Sequence, residues 1–272
     1  MIKRFAAICA LILLGACTTH PNKGGYYQDD GPHNVPEKDI GTIANAVPRA
    51  EPLSEKGNKP YAVFGKTYHP LKNTDGYQER GVASWYGKKF HGNSTSSGEP
   101  YDMYAMTAAH KTLPLPSYVE VKNLQNGRSV IVRVNDRGPF LHNRLIDLSY
   151  AAASKLGIVA TGTGLVEVSA IATTESVIEA EALPPSQRYD SVTENVKIYL
   201  QVGAFNQKQN AEGLKTRLAK NNIGPVFIQD KSSSNNPIYR VRIGPLDSVA
   251  HSDDLVEKVR LQGIWDAHII IE

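Results

Sequence analysis

Acidic side chains and one histidine recur in the middle of the chain, in stretches rich in turn-forming residues. Glu99 and Asp102 lie in one polar stretch, and His110 follows shortly after it. Asp136 comes directly after a predicted strand. Carboxyl groups and a histidine on loops at one rim of a barrel can donate and accept protons, as cleavage of a glycosidic bond requires. Spacing alone leaves a second interpretation open, in which Asp136 pairs with Arg137 or caps a turn and the other groups are solvated or hydrogen-bonded loop residues.

β structure surrounds these residues. Strands are predicted at residues 81–86, 118–124, 128–134 and 164–171. The second and third strands carry alternating valines and are joined by Asn126-Gly127, a dipeptide that suits a tight hairpin turn. A short helix is predicted at 150–156, beginning after Ser149 and ending at Gly157. Short strands, glycine-containing turns and one small helix are typical of a compact β-barrel.

The last segment of the chain has a different rhythm. Its strands are predicted at residues 196–204, 226–229, 238–243 and 267–271. Between them, apolar residues at helical spacing predict two helices, one around Leu214 and one around Val256. The order βαββαβ indicates a small α/β sandwich. An RNA-recognition module shares that order, but its aromatic motif is missing here, so we predict no nucleic-acid partner.

The N-terminus has the form of an export signal. Lys3 and Arg4 precede an apolar run that ends at Leu14 and is too short to span a bilayer. The residues Leu14-Gly15-Ala16-Cys17 resemble a bacterial lipoprotein box, which predicts cleavage after Ala16 and lipidation of Cys17. An ordinary secretory signal with an incidental cysteine is the alternative. Thr18 after the cysteine resembles the outer-membrane sorting pattern, so we expect an anchored envelope protein that faces the periplasm.

Composition and charge divide the chain into five parts. They are a signal peptide at 1–16, a flexible tether at 17–58, a β-barrel with an N-terminal arm at 59–172, an acidic linker at 173–194 and the α/β domain at 195–272. The net charge of +3 is too small for a nucleic-acid-binding surface. The chain contains no phosphate-binding loop, its two cysteines cannot form a disulfide framework, and its histidines lack metal-ligand spacing. We therefore predict no cofactor and no metal.

The barrel segment contains several motifs in a fixed order. They are Gly81-Val82-Ala83-Ser84-Trp85-Tyr86-Gly87, Thr95-Ser96-Ser97-Gly98-Glu99, Tyr101-Asp102, Ala105-Met106-Thr107-Ala108-Ala109-His110, Leu113-Pro114, Val132-Arg133-Val134-Asn135-Asp136-Arg137-Gly138-Pro139 and Ile146-Asp147-Leu148-Ser149. Together these motifs closely resemble the rare lipoprotein A family. The resemblance covers residues 60–172 and implies a double-psi β-barrel, related to expansins and lytic transglycosylases. Residues 199–205 and 239–245 resemble a SPOR domain, which implies binding to peptidoglycan glycan strands without stem peptides, as occur at the division septum.

The resemblance also implies an activity, lytic transglycosylation of peptide-free glycan that leaves 1,6-anhydro ends. It marks Asp136 as general acid and then base, with a pKa raised by a neighbouring carboxylate such as Glu99. His110 would orient a carboxylate or hold the sugar, and Asp102 would support the others. The alternative is a catalytically silent, expansin-like lipoprotein that binds glycan or acts as a scaffold for division proteins.

Candidate glycan-binding residues are Trp85, Tyr86, Gln201, Tyr239, Arg242 and Trp265. Trp85 and Tyr86 could form a stacking floor for a sugar ring, although core packing is an equal alternative for Trp85. Gln201 is predicted to hydrogen-bond glycan hydroxyls. For Trp265, a place in the core is the favoured interpretation.

Overall fold

The computed structural model describes residue 31 and residues 40–141, 143–173, 196–233 and 237–272. The predicted signal peptide, Cys17, the first part of the tether and all but the first residue of the acidic linker lie outside the described residues. Within the described ranges, no helix is both long and apolar enough to cross a membrane.

A closed six-stranded barrel forms the first domain and confirms the predicted β-barrel. Its strands are β3 (Gln78–Tyr86), β4 (Thr107–His110), β5 (Ser117–Asn123), β6 (Ser129–Asp136), β7 (Ile146–Ser149) and β8 (Gly164–Ile171). Around the barrel they follow the order β3-β7-β4-β6-β5-β8. The pairs β3–β7 and β4–β6 are parallel and the other pairs are antiparallel. The sequence patterns did not predict β4 and β7 because each has only four residues.

Local signals set the hairpin and the helix of this domain. Gly127 has a φ of 72° in the turn between β5 and β6, where a positive φ favours glycine. Helix α1 (Tyr150–Leu156) begins where the Ser149 hydroxyl accepts a hydrogen bond from the Ala152 amide at 3.1 Å. It ends at Gly157, which is left-handed with a φ of 81°. Both elements are as predicted.

An arm of residues 40–58 precedes the barrel and corrects the predicted extent of the tether. Ile40 is buried in the barrel's core cluster. The Ala46 amide donates to the Ile131 carbonyl at 3.0 Å, and the Ser54 amide donates to the Leu115 carbonyl at 2.7 Å. The arm is held by backbone and polar contacts rather than by many aliphatic side chains. Its composition therefore resembles that of a flexible tether.

A small hairpin joins the arm to the barrel. It consists of β1 (Tyr61–Val63) and β2 (Lys66–Tyr68), which pair antiparallel. The rings of Tyr61 and Tyr68 stack at 5.2 Å, and both contact Phe140 in the loop that follows β6. The aromatic residues of this segment thus pack beside the end of β6.

The second domain confirms the predicted βαββαβ order. Its elements are β9 (Ile198–Phe205), α2 (Lys208–Lys220), β10 (Val226–Asp230), β11 (Tyr239–Leu246), α3 (Val249–Leu261) and β12 (His268–Ile271). The strands form an antiparallel sheet in the order β10-β11-β9-β12. Leu214 and Val256 are buried on the helix faces that cover the sheet. This domain also contacts the barrel, where Arg144 pairs with Asp253 at 2.6 Å.

Candidate active site

A row of four residues crosses neighbouring strands of the barrel. In spatial order the row is Ser84 on β3, Asp147 on β7, Ala109 on β4 and Asp136 on β6. Because adjacent strands lie about 4.8 Å apart, two carboxyl groups flank the small side chain of Ala109. A Cβ atom added to Gly138 would lie 3.8 Å from the Ala109 Cβ and 3.9 Å from Asp147 Oδ2. The loop after β6 therefore lies directly over this row.

Asp136 is fixed at the end of β6 by one loop and by its own neighbour. Its Oδ1 accepts hydrogen bonds from the Ser96 amide at 2.8 Å, the Ser96 hydroxyl at 2.6 Å and the Arg137 amide at 2.7 Å. The Arg137 guanidinium instead donates to the Gly57 carbonyl at 2.9 Å and to Asn58 Oδ1 at 3.0 Å. These bonds go to the arm, so the structure does not support an Asp136–Arg137 side-chain salt bridge.

Asp147 is the site residue that the sequence analysis missed. It is buried, the Ser84 hydroxyl donates to its Oδ1, and burial raises the pKa of its carboxyl to about 6. The Ser84 hydrogen bond and the positive charges of Lys111 and Arg144 oppose that rise, whereas the charge of Asp136 adds to it. The signal in the sequence was an acidic residue between aliphatic neighbours. A buried carboxyl beside a second one suits proton transfer.

Glu99 is held as a carboxylate at the same edge of the barrel. Its Oε2 accepts from Arg133 Nη1 at 2.7 Å and from Asn135 Nδ2 at 3.0 Å. The hydrogen bond from Arg133 is the main reason that the pKa of Glu99 is lowered. The sequence analysis expected Glu99 to be the carboxylate next to Asp136. In the strand register, the carboxyl group in the same row as Asp136 is that of Asp147.

His110 has a supporting position rather than a place in this row. Its ring is buried, Nδ1 accepts from the amides of Thr112 at 3.2 Å and Leu113 at 3.0 Å, and Nε2 lies 2.9 Å from the Tyr77 hydroxyl. Burial lowers the pKa of His110 to about 3. Both ring nitrogens are thus engaged and the ring is neutral. The turn that it orders presents the His110 carbonyl to Arg137 Nη1 at 3.1 Å.

Asp102 makes its contacts with residues other than the predicted catalytic acids. Its side chain is 56% exposed, and its Oδ1 accepts from the Tyr104 amide at 2.9 Å and lies 3.7 Å from His91 Nδ1. None of the described contacts joins it to Glu99 or Asp136. In the described part of the chain, no cluster of three or more histidine, cysteine and acidic residues is arranged to hold a metal ion.

Trp85 and Tyr86 belong to the core, which corrects the predicted sugar-stacking floor. Trp85 is 2% exposed and packs against Tyr150 at 5.6 Å between ring centroids. Tyr86 is 7% exposed and stacks on Tyr101 at 4.0 Å. Neither ring presents a face to solvent, so neither can support a sugar ring in this arrangement.

A groove of about 790 Å³ lies on the second domain and contains two of the predicted glycan-binding residues, Gln201 and Trp265. The Gln201 amide nitrogen lies 3.3 Å from His268 Nε2. Trp265 is 66% exposed, so the favoured interpretation of this residue as a core residue is wrong. It follows the helix-ending Gly263, which has a φ of 78°, and lies in the loop before β12.

Arg242 and Tyr239 do not line that groove. Arg242 is 1% exposed, its Nη1 donates to Glu272 at 2.6 Å, and its guanidinium lies over the Tyr199 ring. Its charge is therefore used within the domain. Tyr239 begins β11 and pairs with Phe205 on β9. The structure therefore favours structural roles for both residues.

Comparisons with known proteins give consistent matches in both domains. A family model described as lytic transglycolase matches residues 78–169, and the model of the SPOR domain matches residues 194–268. The chain is 38% identical to the endolytic peptidoglycan transglycosylase RlpA of Pseudomonas aeruginosa, over 94% of each chain. It is 40% identical to the protein of that name from Vibrio cholerae, over 99% of this chain and 97% of the other. The crystal structure of the RlpA SPOR domain from P. aeruginosa is 32% identical, covers 27% of this chain and 96% of its own, and has a TM-score of 0.26.

Proposed function

The chain belongs to the rare lipoprotein A family of endolytic peptidoglycan transglycosylases, and from this membership we propose that it cuts glycan strands that have lost their stem peptides. The bond cut is the one between N-acetylmuramic acid and N-acetylglucosamine. The observation that carries the chemistry is the row in which Asp136 and Asp147 flank Ala109. A carboxyl group at this edge of the barrel can donate and accept the protons that such a cleavage transfers, with a second carboxyl group beside it.

The reaction consumes no water. The C6 hydroxyl oxygen of the muramic residue bonds to C1 of the same residue, and the C1–oxygen bond to the next sugar breaks. The leaving oxygen gains a proton and the C6 hydroxyl loses one, so the fragment keeps a 1,6-anhydro end. A single carboxyl group that donates the first proton and accepts the second returns to its starting state.

Asp136 is the group that we assign to this proton transfer, because it is the more exposed member of the pair. Asp147 lies beside it with a pKa raised mainly by burial, and the charge of Asp136 adds to that rise. Glu99 stays ionised beside Arg133, so its negative charge favours the positive charge that develops at C1. His110 and Arg137 brace the turn and the loop that surround them.

The second domain supplies glycan binding in this proposal. An exposed indole and a neutral amide, Trp265 and Gln201, suit a sugar chain because the indole ring stacks on sugar faces and the amide forms hydrogen bonds with sugar hydroxyls. Family membership and the SPOR domain support a place in the cell envelope. We further propose lipid anchoring through Cys17 in the outer membrane, action at the division septum and contact with division proteins.

The experiment incubates the purified full chain with amidase-treated, peptide-free peptidoglycan and identifies soluble products by mass spectrometry. We expect anhydro-muramyl ends from the wild type and at least a 10³-fold lower yield from Asp136→Asn, in the range of general acid–base catalysis. Asp75→Asn, an exposed acid outside the site, is the matched control. Glycan binding without soluble anhydro products would instead support the silent scaffold, and ordinary reducing ends would indicate a hydrolase.

A further inference from the structure

The arm of residues 40–58 brings a carboxylate into the polar network of the barrel. Glu51 lies in the arm, outside the residues 78–169 that the lytic transglycolase model matches. It accepts a bidentate interaction from Arg133, with Nε to Oε1 and Nη2 to Oε2 both at 2.9 Å. The Tyr118 hydroxyl also donates to Oε1, and Arg49 lies 3.4 Å from the same oxygen. A bidentate pair fixes the plane of a guanidinium as well as its position.

The same guanidinium reaches the candidate active site with its remaining terminal nitrogen. Arg133 Nη1 donates to Glu99 Oε2 at 2.7 Å. One arginine thus bridges two carboxylates, one from the arm and one from the loop at the catalytic edge. The side chains of Glu51 and Arg133 are each only 17% exposed, whereas that of Glu99 is 42% exposed. The enclosed Glu51–Arg133 pair therefore holds the more exposed Glu99 in place.

The electrostatics agree with this order of support. The hydrogen bond from Arg133 is the main cause that lowers the pKa of Glu51 to about 2. Glu99 likewise has a lowered pKa, chiefly because of Arg133. Without Glu51, the guanidinium of Arg133 would lose two of its three carboxylate bonds and with them its fixed plane. Glu99 would still have a positively charged partner, but the guanidinium of that partner would no longer be held in one orientation.

We propose that Glu51 is a positioning residue for catalysis, because it holds the guanidinium of Arg133 in the plane from which Nη1 binds Glu99. The arm is then part of the active site rather than a spacer before it. This inference rests on the proposed function, in which Glu99 acts near the reacting sugar. A misplacement of a supporting group by about 1 Å can lower a catalytic rate by as much as 10²-fold.

The test compares Glu51→Gln with Glu55→Gln, an exposed acid of the same arm, in the full chain with soluble peptide-free glycan. We expect Glu51→Gln to lower kcat about 10-fold, with KM and glycan pelleting close to the wild type and a lower melting temperature, because the bidentate pair with Arg133 is lost. Glu55→Gln should leave all four quantities unchanged. Arg133→Lys, which keeps the charge but lacks the planar fork, should show the same loss as Glu51→Gln.

A double variant separates positioning from a general effect on structure. In a Glu99→Gln background the Glu51→Gln change should cause no further loss, because its effect passes through Glu99. The proposal is overturned if Glu51→Gln and Arg133→Lys both retain the wild-type kcat, or if their losses add fully to that of Glu99→Gln. If Glu99→Gln itself is fully active, the failure lies in the assignment of Glu99 within the proposed function.

Discussion

Polar groups are used in opposite ways at the barrel edge that carries Asp136 and Asp147 and in the groove of the second domain. At the barrel edge, the buried carboxyl of Asp147 accepts a hydrogen bond from Ser84, and Glu99 accepts one from the guanidinium of Arg133. In the groove, Gln201 and Trp265 are uncharged, and the indole is open to solvent. Fixed charges stabilise a transition state in which charge moves, whereas neutral hydrogen bonds and ring faces suit an intact sugar chain. In the proposed function, the barrel edge therefore cleaves the glycan and the groove binds it.

The largest expected effect comes from substituting the two tryptophans of the chain, one in each region. Trp85 is 2% exposed in the barrel, and Trp265 is 66% exposed beside the groove. Trp85→Ala should lower the free energy of unfolding of the barrel by about 4 kcal/mol, because it leaves a large cavity in the core. Trp265→Ala should change it by no more than about 0.5 kcal/mol. Urea denaturation followed by circular dichroism measures both.

A small destabilisation by Trp85→Ala would reopen the sugar-stacking role that the sequence suggested for this residue. Trp85→Phe keeps an aromatic ring but a smaller one, so its free energy of unfolding should lie between those of the wild type and the alanine variant. A large effect at Trp265 would mean that the groove is part of the folding core, and the contrast between the two regions would fail.

Local sequence signals were sufficient for much of the fold. The β5–β6 turn at Asn126-Gly127 and the helix between Ser149 and Gly157 are encoded by neighbouring residues and were predicted correctly. The βαββαβ order of the second domain follows from periodicity and is also correct. Each of these features depends on contacts within one element or one turn, which a linear pattern contains.

The candidate site depends on contacts that no linear pattern contains. Ser84 and Asp147 are 63 residues apart, and Glu51 and Arg133 are 82 residues apart. Only closure of the barrel and docking of the arm bring these groups together. Burial of Asp147 and exposure of Trp265 are likewise decided by tertiary packing. Residue types and positions pointed to Asp136 and Glu99, and the family resemblance gave them roles, but neither predicted which groups hold them.

The buried carboxyl of Asp147 predicts that the stability of the barrel depends on pH. Its folded pKa of about 6 lies above its ordinary value of 3.8. Between pH 3.8 and pH 6 the folded state therefore binds more protons than the unfolded state does. The protonated carboxyl stabilises the fold fully below pH 3.8, and this stabilisation is lost as the pH rises through 6. Relative to the wild type, Asp147→Asn should gain about 2 kcal/mol of stability between pH 4 and pH 7. Chemical denaturation at each pH measures this difference.

Ser84→Ala sharpens the same prediction. The Ser84 hydroxyl favours the charged form of Asp147, so its removal should raise the pKa of Asp147 and extend the loss of stability to higher pH. A stability difference between Asp147→Asn and the wild type that stays constant with pH would contradict the burial of a titrating carboxyl. The Asp147→Asn variant should also release fewer anhydro products, while its pelleting with glycan stays unchanged.

The smallest expected effect lies in the groove and concerns affinity alone. Trp265→Ala should weaken pelleting with peptide-free peptidoglycan about 10-fold, because loss of an aromatic contact removes about 1.4 kcal/mol. Trp265→Phe should retain most of the affinity, and Gln201→Ala should cause a smaller loss, of the order of one neutral hydrogen bond. Turnover of saturating soluble glycan should stay at the wild-type rate, since no group at the barrel edge has changed. An unchanged affinity would remove the groove as the glycan-binding surface. A reduced saturating rate would mean that strand attachment and bond cleavage are not separate tasks of the two domains.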